Sequence, residues 1–469
     1  MGWVGFLPPV SAAPGGFVTY SAATNTFTVL PNSVDDTANI QTAFDSCAAT
    51  GAECTVELSG GVFHTAQVVV YDFQGTFRGM GQYQTTVEAL PDLPVGEFVT
   101  RPPSAENPWP SLFTFFDGTY MITDITFTEP WATPLHEWNV CEGCYPTTAL
   151  FAVISVTGLH ANAIVDHVTM VGAPGDWVSY GGIISFNVIN GIFPQALVLG
   201  HGKKDFSRVI PMQVRFELTN SAFFMIDNPS GAENLEDSVY IARFNTLDTV
   251  EYGLWFVNVG NSIIDLSHNV LRNVIAGSAI IAYQNRPINV LMPCQPHTDI
   301  FIAHNELQFT NLANGIILVD YADRYGCEKS LDGVISGNTF YSDETSFEAV
   351  LAFMMGSVVV SGNAMIGATY TGVAVWNGRA VISHNGIRGA QVGVWLDGAT
   401  GAAVEQNDIE DSLYLGIFLT GGSSNNLVSR NEVRNSGLVD LAWDMTGAGN
   451  IWTRNECRTS DPPGLCAAG

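Results

Sequence analysis

Positive charge is the scarcest thing in this sequence. Seventeen Lys and Arg stand against 45 Asp and Glu, a formal charge of −28, and only Lys203, Lys204 and Lys329 are lysines. Such a chain has no basic face to lay against a phosphate backbone, which argues against nucleic acid as a partner. No run of 18 apolar residues occurs, so no membrane-spanning helix can be placed. The opening Met1-Gly2-Trp3 lacks the basic and apolar stretches of a secretory leader. There is no Asn-x-Ser/Thr acceptor with x other than Pro, which favours a prokaryotic source. What is present is apolar: 46% of residues are hydrophobic and 13% charged, too few charges for disorder and enough bulk for a large core.

Eight cysteines fall at positions 47, 54, 141, 144, 294, 327, 457 and 466. An even number in spaced pairs suits disulfides and an oxidising compartment. Cys47 with Cys54, and Cys457 with Cys466, would close short loops. Cys141-Glu-Gly-Cys144 is the one CxxC; a zinc reading needs a second ligand pair at suitable spacing, and none is nearby. The expectation is a secreted or extracellular protein whose leader has been removed.

The decisive feature is an internal repeat. A phrase of apolar residue, two residues, Asn, one residue and apolar residue recurs from Leu266-x-x-Asn269-x-Leu271 through asparagines 305, 338, 363, 385, 407, 431 and 455. Between its later copies lies Gly-apolar-x-apolar, as in Gly253-Leu-Trp-Phe, Gly315-Ile-Ile-Leu, Gly372-Val-Ala-Val, Gly393-Val-Trp-Leu and Gly416-Ile-Phe-Leu. Each phrase alternates with period two, so each is a strand with one face inward. One Asn between two strands marks a corner, where Asn tolerates a left-handed bend and its amide can bond to its equivalent one coil away. On that basis, removing a ladder amide should cost on the order of 1–2 kcal/mol. Three short strands and one corner in about 22 residues predict an all-β fold: a single parallel β-helix of about a dozen coils. Residues 1–54 form the N-terminal segment, with a capping helix over about 35–49. Residues 55–456 form the solenoid and 457–469 a disulfide-closed tail, all one structural domain. In the helix, Asp35 or Asp36 is the N-cap, and Ile40, Phe44 and Cys47 share a face.

An acidic N-cap helix, a first coil with Gln74-Gly-Thr-Phe-Arg-Gly-Met-Gly-Gln82 and Asn-cornered coils resemble the pectate-lyase-like superfamily of right-handed parallel β-helices. The likeness spans roughly residues 35–457. It implies the fold; members include lyases, hydrolases, epimerases, phage spikes and adhesins, so it does not choose a function. The polygalacturonase signature fails: Gly200-His201-Gly202 is present, but its Asn-Thr-Asp and Arg-Ile-Lys phrases are absent, and the sole Asp-Asp lies in the capping helix. Ile164-Val165-Asp166-His167 resembles a calcium pectate lyase phrase without its Trp, and the later Arg-x-Pro-x-x-Arg is missing. Asp166 therefore reads as a corner residue like Asp124. No motif calls for a cofactor or a metal, calcium being left open. His268, His304 and His384 each precede a corner Asn and read as exposed corner residues on coils that are not consecutive.

In a solenoid the coils are scaffold and insertions build the walls of any cleft. The longest are Pro91–Ser111, Glu129–Thr148, Asn187–Gln213 and the pair Gln284–Thr298 and Asp320–Asp332. The candidate acid/base groups are His136, Glu137, His201, Lys203 and Lys204, with Arg215 and Glu251 as neighbours. Taking Leu254 and Phe256 inward turns Trp255 outward. The same register sends Ile281, Ile317, Leu351, Ala374, Trp395 and Phe418 outward in one column, with Val257, Tyr283, Val319, Phe353 and Trp376 beside it. Trp255, Tyr283, Trp376, Trp395 and Phe418 are the candidate sugar platforms, and the apolar column doubles as a candidate interface for a homo-oligomer. Two readings follow. One is a secreted carbohydrate-active protein, a polysaccharide lyase or glycoside hydrolase; the other is a non-catalytic adhesin, spike or surface-assembly subunit. Finally, Cys294 and Cys327 occupy the same turn of two successive coils, within disulfide reach, and are expected to pair.

Overall fold

The structure, a computed structural model, describes residues 16–90, 111–128, 152–172, 183–186, 213–226, 230–233, 237–257, 259–284, 294–310, 312–342, 346–367 and 369–466. Each coil contributes one strand to each of three parallel sheets. In one regular coil these are Ala380–Ser383 in sheet A, Gly386–Arg388 in sheet B and Val392–Asp397 in sheet C. The next coil repeats them at Ala403–Glu405, Asp408–Glu410 and Leu415–Thr420, paired in register. Among the described residues the one antiparallel pair is Val18–Ser21 with Thr26–Val29. The chain is thus a right-handed parallel β-helix, as the repeat predicts.

The Asn ladder is continuous and buried, from Asn245 to Asn455. Asn385 shows its chemistry. Its backbone N–H and its Nδ2 both donate to Asn407 Oδ1, at 3.0 and 2.9 Å, while Nδ2 also donates to the Val360 carbonyl at 2.8 Å. The corner itself is built differently from the sequence expectation. The left-handed residue is the one before each Asn: His268, His304, Gly337, Gly362, His384, Gln406, Arg430 and Arg454 all have φ between 55° and 63°. The division is physical. The bend needs a residue that can stay in solvent, and the amide must turn inward to reach its partners on both sides.

The Gly-apolar-x-apolar phrase also acquires a cause. At Gly253, Gly315, Gly372, Gly393 and Gly416 an added Cβ would run into a carbonyl oxygen of the next coil. For Gly393 the contacts would be 2.6 Å to Gly416 O and 2.5 Å to Ile409 Cγ2. Gly393→Ala is expected to lower stability by about 1–3 kcal/mol through overpacking. Thermal unfolding checks it, and an unchanged melting temperature would mean the coils separate at no cost.

At the N-terminal end the helix Thr37–Thr50 covers the first coil, burying Ile40, Ala43, Phe44 and Cys47. Phe44 meets Phe73, Phe77 and Phe115 edge-on, at centroid distances of 5.1, 5.1 and 5.9 Å. Asp35 Oδ1 accepts the Thr37 N–H at 2.9 Å, relieving the first free donor of the helix. Asp36 instead accepts the backbone N–H groups of Asn32 and His64 (2.8 and 3.1 Å), and its burial pushes its carboxyl upward. An open solenoid end exposes unpaired strand edges and core, which is what this cap removes.

Among the described residues three disulfides are formed, Cys47–Cys54, Cys294–Cys327 and Cys457–Cys466, with Cα separations of 5.9, 5.4 and 5.4 Å. Cys294–Cys327 joins the same turn of two successive coils, as expected from the register. Closing its 33-residue step is worth roughly 3–4 kcal/mol on a chain-entropy basis. Cys141 and Cys144 lie outside the described residues. No helix among the described residues is long and apolar enough to cross a membrane.

Candidate functional site

Of the acid/base candidates, His136, Glu137, His201, Lys203 and Lys204 lie outside the described residues. The backbone of Glu251 belongs to the strand Thr246–Val257, and its side chain is outside the description. Arg215 stands exposed on sheet A, in the strand Gln213–Thr219. Its guanidinium is already bonded to Glu217, so its charge is spoken for within its own strand. Topology relates these positions. The segment 187–212, which carries His201, Lys203 and Lys204, links the sheet C strand Ile183–Phe186 to the Arg215 strand.

Strands alternate inward and outward, so sheet A presents a polar outer face over its early coils. Glu57 and Arg78 pair across adjacent coils at 2.6 Å, and Arg243 pairs with Asp265. On the coil before Arg215 stands Asp166, opposite Thr219 in register. Its Oδ1 accepts from Thr219 Oγ1 and Asn220 Nδ2, both at 2.8 Å, and its Oδ2 lies 2.7 Å from His167 Nδ1. Burial pulls the Asp166 carboxyl upward, but the hydrogen bonds from Asn220, His167 and Thr219 outweigh it and hold the group below its ordinary value. His167 is a left-handed corner residue (φ 51°) with half its side chain exposed. A carboxylate holding Nδ1 orients the ring and leaves Nε2 of this half-exposed side chain as the nitrogen that can exchange a proton, the arrangement that proton transfer by imidazole needs. Asp166 is therefore more than the corner residue it seemed in sequence, since the corner position itself belongs to His167.

Sheet C carries the aromatic column. Leu254 and Phe256 point inward and Trp255 outward, as expected. Tyr283, Trp376, Trp395 and Phe418 are likewise half-buried on the outer side. Phe353, Trp376, Trp395 and Phe418 follow one another over successive coils at centroid distances of 5.9, 5.8 and 6.1 Å. Tyr370 lies 6.2 Å from Trp395 at the flank. The apolar stripe is less exposed than the register alone implies: Ile281, Val319 and Ala374 are buried. Side chains stacked at strand spacing shield one another, and the shortest, such as Ala374 opposite Trp395, vanish first.

Two groupings escaped the sequence reading. His268 and His304 are on consecutive coils, because their strands pair directly, and their exposed rings lie 5.2 Å apart. His384 stands three coils beyond His304, and this pair corrects the expectation of three isolated histidines. The second grouping is His297, Asp299 and Asp332, whose ligand atoms lie within 4.8 Å of one another. The signal for it was available. The repeat puts Asp299 and Asp332 opposite each other in register, and His297 two residues before Asp299 on the same insertion.

Known proteins resemble the chain in fold. The profile of a family described as periplasmic copper-binding protein (NosD) matches residues 294–459, about a third of the chain. The structure of the Dettilon tailspike protein aligns over 88% of this chain and 68% of its own, at 10% identity and a TM-score of 0.50. The catalytic domain of an α-1,3-glucanase aligns over 95% and 71%, at 11% identity and a TM-score of 0.47. A periplasmic alginate epimerase, AlgG, aligns over 95% and 80%, at 11% identity and a TM-score of 0.46. At such identities the tailspike likeness speaks for the parallel β-helix and for nothing finer. No curated protein matches the chain in sequence.

Proposed function

We propose that this chain is a carbohydrate-binding and carbohydrate-modifying β-helix protein that works outside the cytoplasm. The aromatic column on sheet C carries this reading. From Phe353 to Phe418 its rings recur once per coil, a repeat comparable to the rise of one sugar ring along a polysaccharide, and they sit on regular strands. Flat apolar faces flanked by polar residues suit sugar rings, which are apolar above and below and polar at the rim. Three disulfides and the periplasmic description of the matched family support the compartment. Proton transfer is assigned to the Asp166–His167 pair. His201, Lys203 and Lys204 precede Arg215 in the chain by 14, 12 and 11 residues and are proposed to bring positive charge to the substrate. This favours lyase-type proton abstraction over hydrolysis. A glycoside hydrolase needs two carboxylates facing across the substrate, and on the coils following Asp166 Glu217 and Asp265 are each held by an arginine.

The test is a panel of neutral and uronate polysaccharides, scored by affinity electrophoresis, new reducing ends and the ultraviolet absorbance of unsaturated uronates. Retention on at least one polysaccharide is expected, with unsaturated ends that His167→Ala abolishes. No retention on any of them, together with a dimer in light scattering that Trp395→Ala dissolves, would instead make the column a subunit interface and the protein a non-catalytic assembly subunit.

A further inference from the structure

Before the coil of Asp299, the carboxylates described on the outer face of sheet A all have a partner, Asp166 in His167, Thr219 and Asn220 and the others in an arginine. Glu57, Glu217 and Asp265 each hold an arginine. Asp299 and Asp332 then stand directly opposite each other on adjacent strands, where like charges destabilise a sheet. No Lys or Arg among the described residues forms an ion pair with either. The nearby Lys329 is turned away, with its Nζ 3.3 Å from Asp323 and 2.9 Å from the Asn377 carbonyl that it bonds. Among the described residues it is His297 that bridges them, Nε2 lying 3.2 Å from Asp299 Oδ1 and 3.8 Å from Asp332 Oδ2.

From this geometry we infer that His297, Asp299 and Asp332 form a binding site for a borderline divalent transition-metal ion of the zinc class. One imidazole nitrogen and two carboxylate oxygens are a mixed donor set of the kind zinc accepts, three protein ligands leaving a fourth position for water. The set contains no sulfur, which disfavours copper(I). Donors about 2.0–2.2 Å from one ion lie about 3.4 Å apart when tetrahedral, so small side-chain rotations suffice.

A second observation is independent of the charges. An added Cβ at Gly356 would lie 2.9 Å from Asp332 Oδ1. Gly356 does not have the positive φ that would by itself demand glycine. The missing side chain therefore keeps clear the space beside that carboxylate oxygen. The frame is stiff as well. Cys294–Cys327 closes the loop, Gln284 Nε2 donates to the Pro296 carbonyl at 3.1 Å, and buried Asp320 accepts the backbone N–H groups of Ser330 and Leu331 at 2.6 and 3.1 Å. Rigid support of this kind is what a metal site needs from its surroundings.

The inference is independent of the carbohydrate reading and is tested without any polysaccharide. The full-length chain, stripped with EDTA, is titrated calorimetrically with ZnCl₂ and separately with CaCl₂. One saturable zinc site is expected, weakened tenfold or more in His297→Ala and in Asp332→Asn and also weakened in Gly356→Ala, with calcium much weaker. Without metal, Asp332→Asn should melt no lower than the parent, since it removes a like-charge pair. If a variant fails to fold, zinc protection of His297 against diethyl pyrocarbonate in the parent chain decides the matter. Absence of saturable zinc binding, binding unchanged in both substitutions, unprotected His297, or calcium bound as tightly would each overturn the site.

Discussion

Asn385→Ala is expected to lower the unfolding free energy by about 3–4 kcal/mol, well above the roughly 1–2 kcal/mol suggested by counting one lost corner bond. The truncation strands groups on both sides. Asn363 donates to Asn385 Oδ1 through its backbone N–H (3.0 Å) and its Nδ2 (2.9 Å), and both donors lose their acceptor. The Val360 carbonyl and Asn407 Oδ1 lose the donor that Asn385 Nδ2 supplied. All three asparagines are buried, so water cannot step in cheaply. Asn385→Asp keeps the acceptor but replaces the amide donor with an oxygen facing the Val360 carbonyl, and should be at least as damaging near neutral pH. Urea unfolding followed by circular dichroism measures both variants. A loss below about 1 kcal/mol for the Ala variant would show that the ladder marks register without contributing stability.

Trp395→Ala is expected to weaken polysaccharide binding by roughly 10- to 150-fold with little change in melting temperature. The ring lies between Trp376 at 5.8 Å and Phe418 at 6.1 Å, at the centre of the column. Covering such a side chain with a ligand contributes about 1.5–3 kcal/mol, and each 1.4 kcal/mol is tenfold in affinity. Stability should change little, because Val394 and Leu396 beside it face the core and Trp395 faces out. Affinity electrophoresis on a retained polysaccharide, with Phe418→Ala as a second variant, reads the effect. Equal retention of parent and Trp395→Ala would remove the column from the binding site.

The sequence carried much of the fold because a solenoid writes its tertiary contacts into a local period. Neighbouring coils stack in register, so the spacing of Asn363, Asn385 and Asn407 by 22 residues is itself the list of which residues touch. Positions separated by whole coils could therefore be paired on paper. Cys294 with Cys327 is the clearest instance, and the inward Leu254 and Phe256 beside outward Trp255 are another. The same reasoning should have placed His268 beside His304 and Asp299 beside Asp332. The two pairs are separated by the steps of 36 and 33 residues, from Asn269 to Asn305 and on to Asn338, the same steps that carry Cys294 and Cys327.

What the period could not carry, beyond the inward or outward face of a strand residue, is contact between unlike positions. Which residue of the corner turns left-handed was decided by burial, since the amide of each Asn had to face its partners. That Asp166 orients His167 depended on Thr219 and Asn220 arriving from the next coil. That Arg215 is occupied by Glu217, and that Ile281, Val319 and Ala374 are buried, came from packing across the sheet faces. The parallel β-helix, its register, its capping helix and the Cys294–Cys327 link were determined by the sequence alone, because backbone hydrogen bonding between equivalent coils obeys the period. The Asp166–His167 pair and the His297, Asp299 and Asp332 group were decided by the tertiary structure, because angle and distance between side chains depend on a surface that no period encodes.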